Sequence, residues 1–94
     1  MKALGNQTLA FDELQEKNLT IPENTILAEI VMEAGNRAEI SARFTENGEA
    51  PTAENGLPLN HLSILEVKGA NLQNFQVIGI HTGITHFLKI EYFG

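Results

Sequence analysis

Apolar and polar residues alternate with a period of two along most of this chain, the pattern of strands that turn one face to a core. In residues 25–35, Ile26, Ala28, Ile30 and Met32 fall on one side, with Leu27, Glu29, Val31 and Glu33 on the other. Residues 38–45 repeat the pattern, with Ile40, Ala42 and Phe44 opposing Glu39, Ser41, Arg43 and Thr45. Gly35-Asn36 between them suits a two-residue turn, which predicts a hairpin of 26–34 with 37–45. Residues 61–69 set Leu62, Ile64, Glu66 and Lys68 against Ser63, Leu65 and Val67. Segments 74–81 and 85–93 flank a short Thr-Gly-Ile connection and predict a second hairpin. In the last segment His86, Leu88, Ile90 and Tyr92 point one way, and Phe87, Lys89, Glu91 and Phe93 the other.

The beginning of the chain is less regular. Leu19 and Ile21 predict a short strand, ended by a turn at Pro22-Glu23-Asn24 with proline at its second position. Residues 8–17 fit a weak strand or an irregular arm, so 1–17 is expected as a weakly ordered N-terminal arm. Residues 44–61 read as a long central loop. The whole predicts an all-β fold spanning 1–94 as a single domain. The architecture expected is a small β-sandwich or jelly-roll-like barrel of six to seven mainly antiparallel strands.

Composition narrows the function classes. At 94 residues the chain has room for one modest core. It has no cysteine, which excludes disulfides and cysteine-based zinc sites. Twelve acids against six bases give a formal charge of −6. Binding to a phosphate backbone needs clustered Lys and Arg, and here the bases are scattered, so no nucleic-acid partner is expected. No continuous apolar run opens the chain or approaches the length of a membrane span. Neither a signal peptide nor a membrane partner is therefore expected, and the product is expected in the cytoplasm.

Candidate chemistry is sparse. His81 and His86 bracket a four-residue connection and are weak candidates for a metal pair, but no third ligand stands near them in sequence. The plainer expectation is two polar strand ends at a solvent-facing turn. Glu46, Glu49 and Glu54 do not follow the spacing of a calcium loop. Ser41 and Ser63 lack a Gly-x-Ser-x-Gly elbow. No enzyme, cofactor or metal is expected on these grounds. Phe87 and Phe93, with Phe75, form a candidate aromatic stripe, and Phe87 and Phe93 are candidate subunit contacts.

The stretch FTENGEAPTAENGLPL, residues 44–59, is the least ordinary. Asn47-Gly48 supplies a tight turn after the preceding strand. Pro51 and Pro58 stiffen the path, Thr52 offers a local side-chain to backbone bond, and Asn55-Gly56 makes a second turn. Arg43 is placed to pair with Glu46 or Glu49. Together these residues predict a defined protrusion or sheet-crossing arm.

The ordered set Arg43-Phe44-x-x-Asn47-Gly48-x-x-Pro51-Thr52-x-x-x-Gly56-x-x-Leu59, with a closing Leu-Lys-Ile-Glu-Tyr-Phe strand, resembles a family of small structural proteins. That family is encoded among the head and tail genes of tailed bacteriophages and prophages. The likeness runs over roughly residues 19–93. It departs at His61-Leu62-Ser63, where such chains often carry a glycine-containing turn. The resemblance implies a non-enzymatic virion component, carried also on mobile genetic elements, that decorates or joins virion parts. Its partners would be further copies in a homo-oligomer or other virion proteins. Arg43, Asn47, Gly48, Pro51, Thr52, Gly56 and Pro58 are then the expected interaction loop. The alternative is a stand-alone binding module for a sugar or peptide at the His81/His86 end.

Overall fold

A computed structural model describes residues 1–12, 17–80 and 83–94. The strands are β1 (Ala3–Phe11), β2 (Lys17–Asn18), β3 (Leu27–Glu33), β4 (Ala42–Thr45), β5 (Leu57–Leu59), β6 (Ile64–Lys68), β7 (Gln76–Gly79) and β8 (His86–Phe93). One helical turn, α1 (Asn71–Asn74), precedes β7. Two four-stranded sheets form, ordered β1-β8-β3-β6 and β2-β7-β4-β5, and every pairing is antiparallel. This is the strand order of an eight-stranded jelly roll. The all-β sandwich is as the sequence predicts, with eight strands among the described residues where six to seven are expected.

Alternation built the faces as predicted over β3 and β4, but Ser41, placed on the polar side, is fully buried just ahead of β4. From the first sheet Leu9, Phe11, Ala28, Ile30, Met32, Leu88, Ile90 and Tyr92 turn inward. From the second come Ala42, Phe44, Leu59 and Val77, while Leu72 and Phe75 close the core from the α1 segment. Phe44 and Phe75 stack at 5.6 Å. Ile26, assigned to the apolar side, is instead 54% exposed just ahead of β3.

The pairing differs from the prediction. Neither expected hairpin exists. β3 has β8 on one side and β6 on the other, so its sheet has no slot left for β4. The chain crosses to the second sheet at 34–41, where Asn36 Oδ1 accepts from Ala38 N (3.2 Å) and the buried Ser41 hydroxyl (2.6 Å). Gly35 is not in the left-handed region that a two-residue turn needs. Its role is clearance: a Cβ there would lie 2.5 Å from both Ile84 Cγ2 and the Thr85 carbonyl. β7 and β8 likewise lie in different sheets. Among the described residues, only β4 and β5 are consecutive strands paired with each other, with Ala42 opposite Leu59 and Phe44 opposite Leu57. The expected long loop 44–61 thus contains a strand, β5.

The N-terminal stretch resolves in favour of the strand. β1 runs nine residues against β8, with one irregularity between Ala3 and Gly5, so over 3–11 the expectation of a weakly ordered arm is corrected. Residues 13–16 of that arm lie outside the described residues. Leu19 and Ile21 are not in a strand but pack half-buried against the core. The turn after them uses Pro22 as its first residue, since Thr25 N and Oγ1 both donate to its carbonyl. Asn24, at φ 68°, takes the left-handed third position.

A similar turn joins β5 to β6. Ser63 N donates to the Asn60 carbonyl at 3.1 Å, and Leu62 takes the third position at φ 71°.

Candidate interaction site

The segment between β4 and β5 folds back over the outer face of the second sheet. Arg43, half-buried on that face, donates from Nε to the Ala53 carbonyl (3.0 Å) and from Nη1 to the Gly56 carbonyl (2.9 Å). The expected ion pair with Glu46 or Glu49 is replaced by this grip on the loop's own backbone. Charge-assisted bonds of this kind are about twice as strong as neutral ones. Pro51 is fully buried. Ile78, level with Arg43 on the same face, is only 6% exposed although it lies outside the core cluster.

Local turns shape the remainder. Asn47 Oδ1 accepts from Glu49 N (3.0 Å), and Thr45 Oγ1 donates to the Glu49 carbonyl. Gly48, at φ 84°, donates its N–H to the Asn74 carbonyl at 3.2 Å, tying the turn to α1. Thr52 Oγ1 accepts from both Glu54 N and Asn55 N, and Thr52 N donates to the Asn55 carbonyl. That is the side-chain capped turn expected of Thr52. Gly56, at φ 122°, is closely packed, and a Cβ there would press on the Phe44 carbonyl and Arg43 Cβ, both at 3.1 Å. Pro58 lies in β5, opposite Arg43 and exposed. An open depression of about 590 Å³ lies at the loop's root beside Thr45, Glu46, Leu57 and Asn71.

The motif residues therefore converge on one built feature. Arg43 grips, Phe44 and Leu59 anchor in the core, Gly48 and Gly56 permit the turns, and Pro51 fills the space beneath. Glu49, Ala50, Thr52, Glu54 and Asn55 are left exposed on its outside.

The two histidine candidates separate. His81 lies outside the described residues. His86 is not a polar strand end at a solvent-facing turn, for it is fully buried with its ring 5.6 Å from that of Phe11. Its Nδ1 accepts from Gly35 N at 3.0 Å, while His61 Nδ1 accepts from the adjacent Ala34 N at 3.2 Å. Sequence reasoning gave neither residue this role. The only hint was that His86 shares the inward side of its strand with Leu88, Ile90 and Tyr92. Among the described residues, no group of three His, Asp or Glu side chains is placed to hold a metal ion.

The aromatic stripe also divides. Phe75 is core. Phe87 and Phe93 do lie on the outer face of the first sheet, but at opposite ends of β8, with Lys89 and Glu91 between them. Phe87 is 37% exposed, and the Lys89 ammonium stands 5.8 Å from its ring centre. Across this outer face the side chains form rows. One row runs Thr8, Lys89, Val31, Ile64 and the next Asn6, Glu91, Glu29, Glu66.

One further ionisable group is buried. The Tyr92 phenol donates to Gln7 Oε1 at 2.5 Å, and Gln7 Oε1 also accepts from Thr20 N. Burial pushes the Tyr92 pKa up to about 12, with the Thr20 backbone acting in the opposite direction.

No family model, curated protein or solved structure matches this chain. No helix among the described residues is long and apolar enough to cross a membrane.

Proposed function

We propose that this chain is a non-enzymatic structural protein of tailed-phage or prophage origin, decorating or joining virion parts through contacts with further copies or other virion proteins. The observation that carries the proposal is the loop. Arg43, Asn47, Gly48, Thr52 and Gly56 of the ordered motif hold one built feature outside the second sheet, while Phe44 and Leu59 anchor its ends in the core. A feature already fixed in the free chain loses little entropy when a partner grips it. The jelly roll agrees with this role, since viral shells use that architecture, although it also serves lectins and cupins. The sugar- or peptide-binding alternative loses His86 as a ligand contact, because that ring is buried and faces Phe11 and Gly35.

The test is incorporation. Particles induced from a strain carrying the gene are purified and their proteins identified by mass spectrometry. The chain is expected in stoichiometric amount. Glu49→Arg with Glu54→Arg, at exposed loop positions, should abolish incorporation, whereas Glu23→Arg on the exposed Pro22 turn should not. Particles lacking the chain would overturn the proposal.

A further inference from the structure

Four strand edges terminate the two sheets, and three of them are blunted. β2 is two residues long. β5 is three residues long with Pro58 at its centre. β6 carries Glu66 and Lys68, and α1 packs beside it. Short strands, prolines and charges keep edges from pairing with other chains. β1 has none of these devices. It is nine residues long, ALGNQTLAF, without a charge or a proline. It pairs with β8 on one side, and among the described residues no backbone group bonds its other side. Every second residue of an antiparallel strand turns its N–H and C=O away from a given neighbour, so β1 presents a row of open peptide groups.

We propose that β1 pairs antiparallel with β1 of a second copy of this chain, about a two-fold axis through Gln7, joining two four-stranded sheets into one of eight. The choice of occupant and register comes from charge. Directly opposed residues share a face of the sheet, so the axis must pass through a residue that meets its own copy. Near the middle of β1 the choices are Asn6, Gln7 and Thr8. Asn6 lies in the row of Glu91 and Thr8 in the row of Lys89. An axis at Asn6 would set each Glu91 row against itself, and one at Thr8 would do the same for Lys89. An axis at Gln7 sets Thr8 against Asn6 of the copy, so each Lys89 row continues into a Glu91 row. Lys89 Nζ already reaches onto β1, 3.3 Å from Thr8 Oγ1, which places the cation at the seam. A chain of net charge −6 thus meets its copy along an uncharged strand, with both cations turned toward carboxylates.

The size is consistent with an exchanging dimer. Nine residues at about 3.4 Å each give an edge roughly 30 Å long, and the molecule's shortest extent is 17 Å. That amounts to roughly 1,000 Å² over both partners, the low end of specific interfaces. The proposal rests on the assembling role given above and names its seam, yet the two are tested apart, since incorporation into particles is read through the loop variants.

The experiment is sedimentation equilibrium of the full chain from about 1 μM to about 1 mM, with thermal melts confirming that each variant folds. A monomer–dimer equilibrium is expected in the parent. Lys89→Glu and Glu91→Lys should each weaken it about three- to tenfold, less so at high salt. The double variant, which exchanges the two rows, should restore parental dimerisation. A parent that stays monomeric overturns the proposal and leaves the edge to a strand of some other protein. A dimer indifferent to both single variants, or not restored by the double one, overturns it as well.

Discussion

The outer faces of the two sheets are finished in different ways, and this divides the molecule energetically. The first sheet is built of strands of nine, eight, seven and five residues, and its outer face is bare side chains. The second has strands of only two to four residues and depends on the loop folded over it. Long ladders hold themselves through backbone bonds and cross-strand pairs. Short ones need a further layer, and Arg43 is the group that fastens it. The two proposed contacts fall on either side of this division: the loop on the second sheet, the β1 edge on the first.

The largest effect is expected at Arg43. Arg43→Ala leaves the Ala53 and Gly56 carbonyls without their charged donor and should cost about 2–4 kcal/mol in urea unfolding. Arg43→Lys should recover little, because a single ammonium cannot copy the two-pronged geometry. Amide exchange should accelerate at Phe44 and Ile78 before Ile30 and Leu88 respond. Uniform acceleration would mean that the sheets act as one unit and that the division is only geometric.

Tyr92 probes the other sheet. Its hydroxyl ties β8 to Gln7 of β1, so Tyr92→Phe should cost about 1 kcal/mol at neutral pH. The alkaline limb is more diagnostic. Up to about pH 10 the phenol stays protonated in both folded and unfolded chains, and stability is unaffected. Between about pH 10 and 12 the unfolded chain ionises while the folded one, with its pKa near 12, does not. Stability should fall across that window by roughly 2–3 kcal/mol. The phenylalanine variant should lack that step.

For β3 and β4 the buried face was legible in the sequence, because alternation is a local record of which way a side chain points; for β8, with large apolar groups on both sides, alternation separated the faces without saying which one packs inward. Which strand pairs with which was not. Gly35-Asn36 carried a hairpin signal, but the glycine is required for clearance against Ile84 and Thr85, a contact from 49 positions further along the chain. The loop's turns were legible for the same local reason as the strands: Asn47 and Thr52 bond backbone groups two or three residues away, and Gly48 and Gly56 take the positive φ that their own turns need. The hold of Arg43 was not, since it depends on the loop returning over its own strand. His86 shows the two signals in conflict, with its position reading as core and its polarity as turn. Position prevailed, because Gly35 N–H supplies the partner that a buried imidazole needs.

Leu62 offers a smaller test. It sits at φ 71° and is 59% exposed, so it bears the cost of a left-handed conformation with little burial in return. Leu62→Gly relieves that strain and loosens the unfolded chain, and the two effects oppose one another. A net gain of about 0.5–1 kcal/mol is expected in thermal melts. Leu62→Ala should give no such gain, which separates backbone strain from the loss of an exposed apolar group.

The smallest effect concerns the bare face itself. Glu91, Glu29 and Glu66 stand directly opposite one another on three adjacent strands, and opposed like charges are destabilising by about 0.2–1 kcal/mol per pair. Lys68, 3.7 Å from Glu66, relieves one end of the row only. Glu29→Lys turns two repulsive neighbours into attractive ones. It should raise stability by about 0.5–1 kcal/mol at low salt, with the gain shrinking toward zero near 1 M salt as screening shortens to about 3 Å. Glu33→Lys is the control, since Glu33 lies level with Phe87 rather than with a carboxylate while changing net charge equally. If both variants stabilise alike, the origin is the overall charge of −6 and not the row. If only Glu29→Lys does, the repulsion is local to the Glu91, Glu29 and Glu66 row, of which Lys68 relieves one end only.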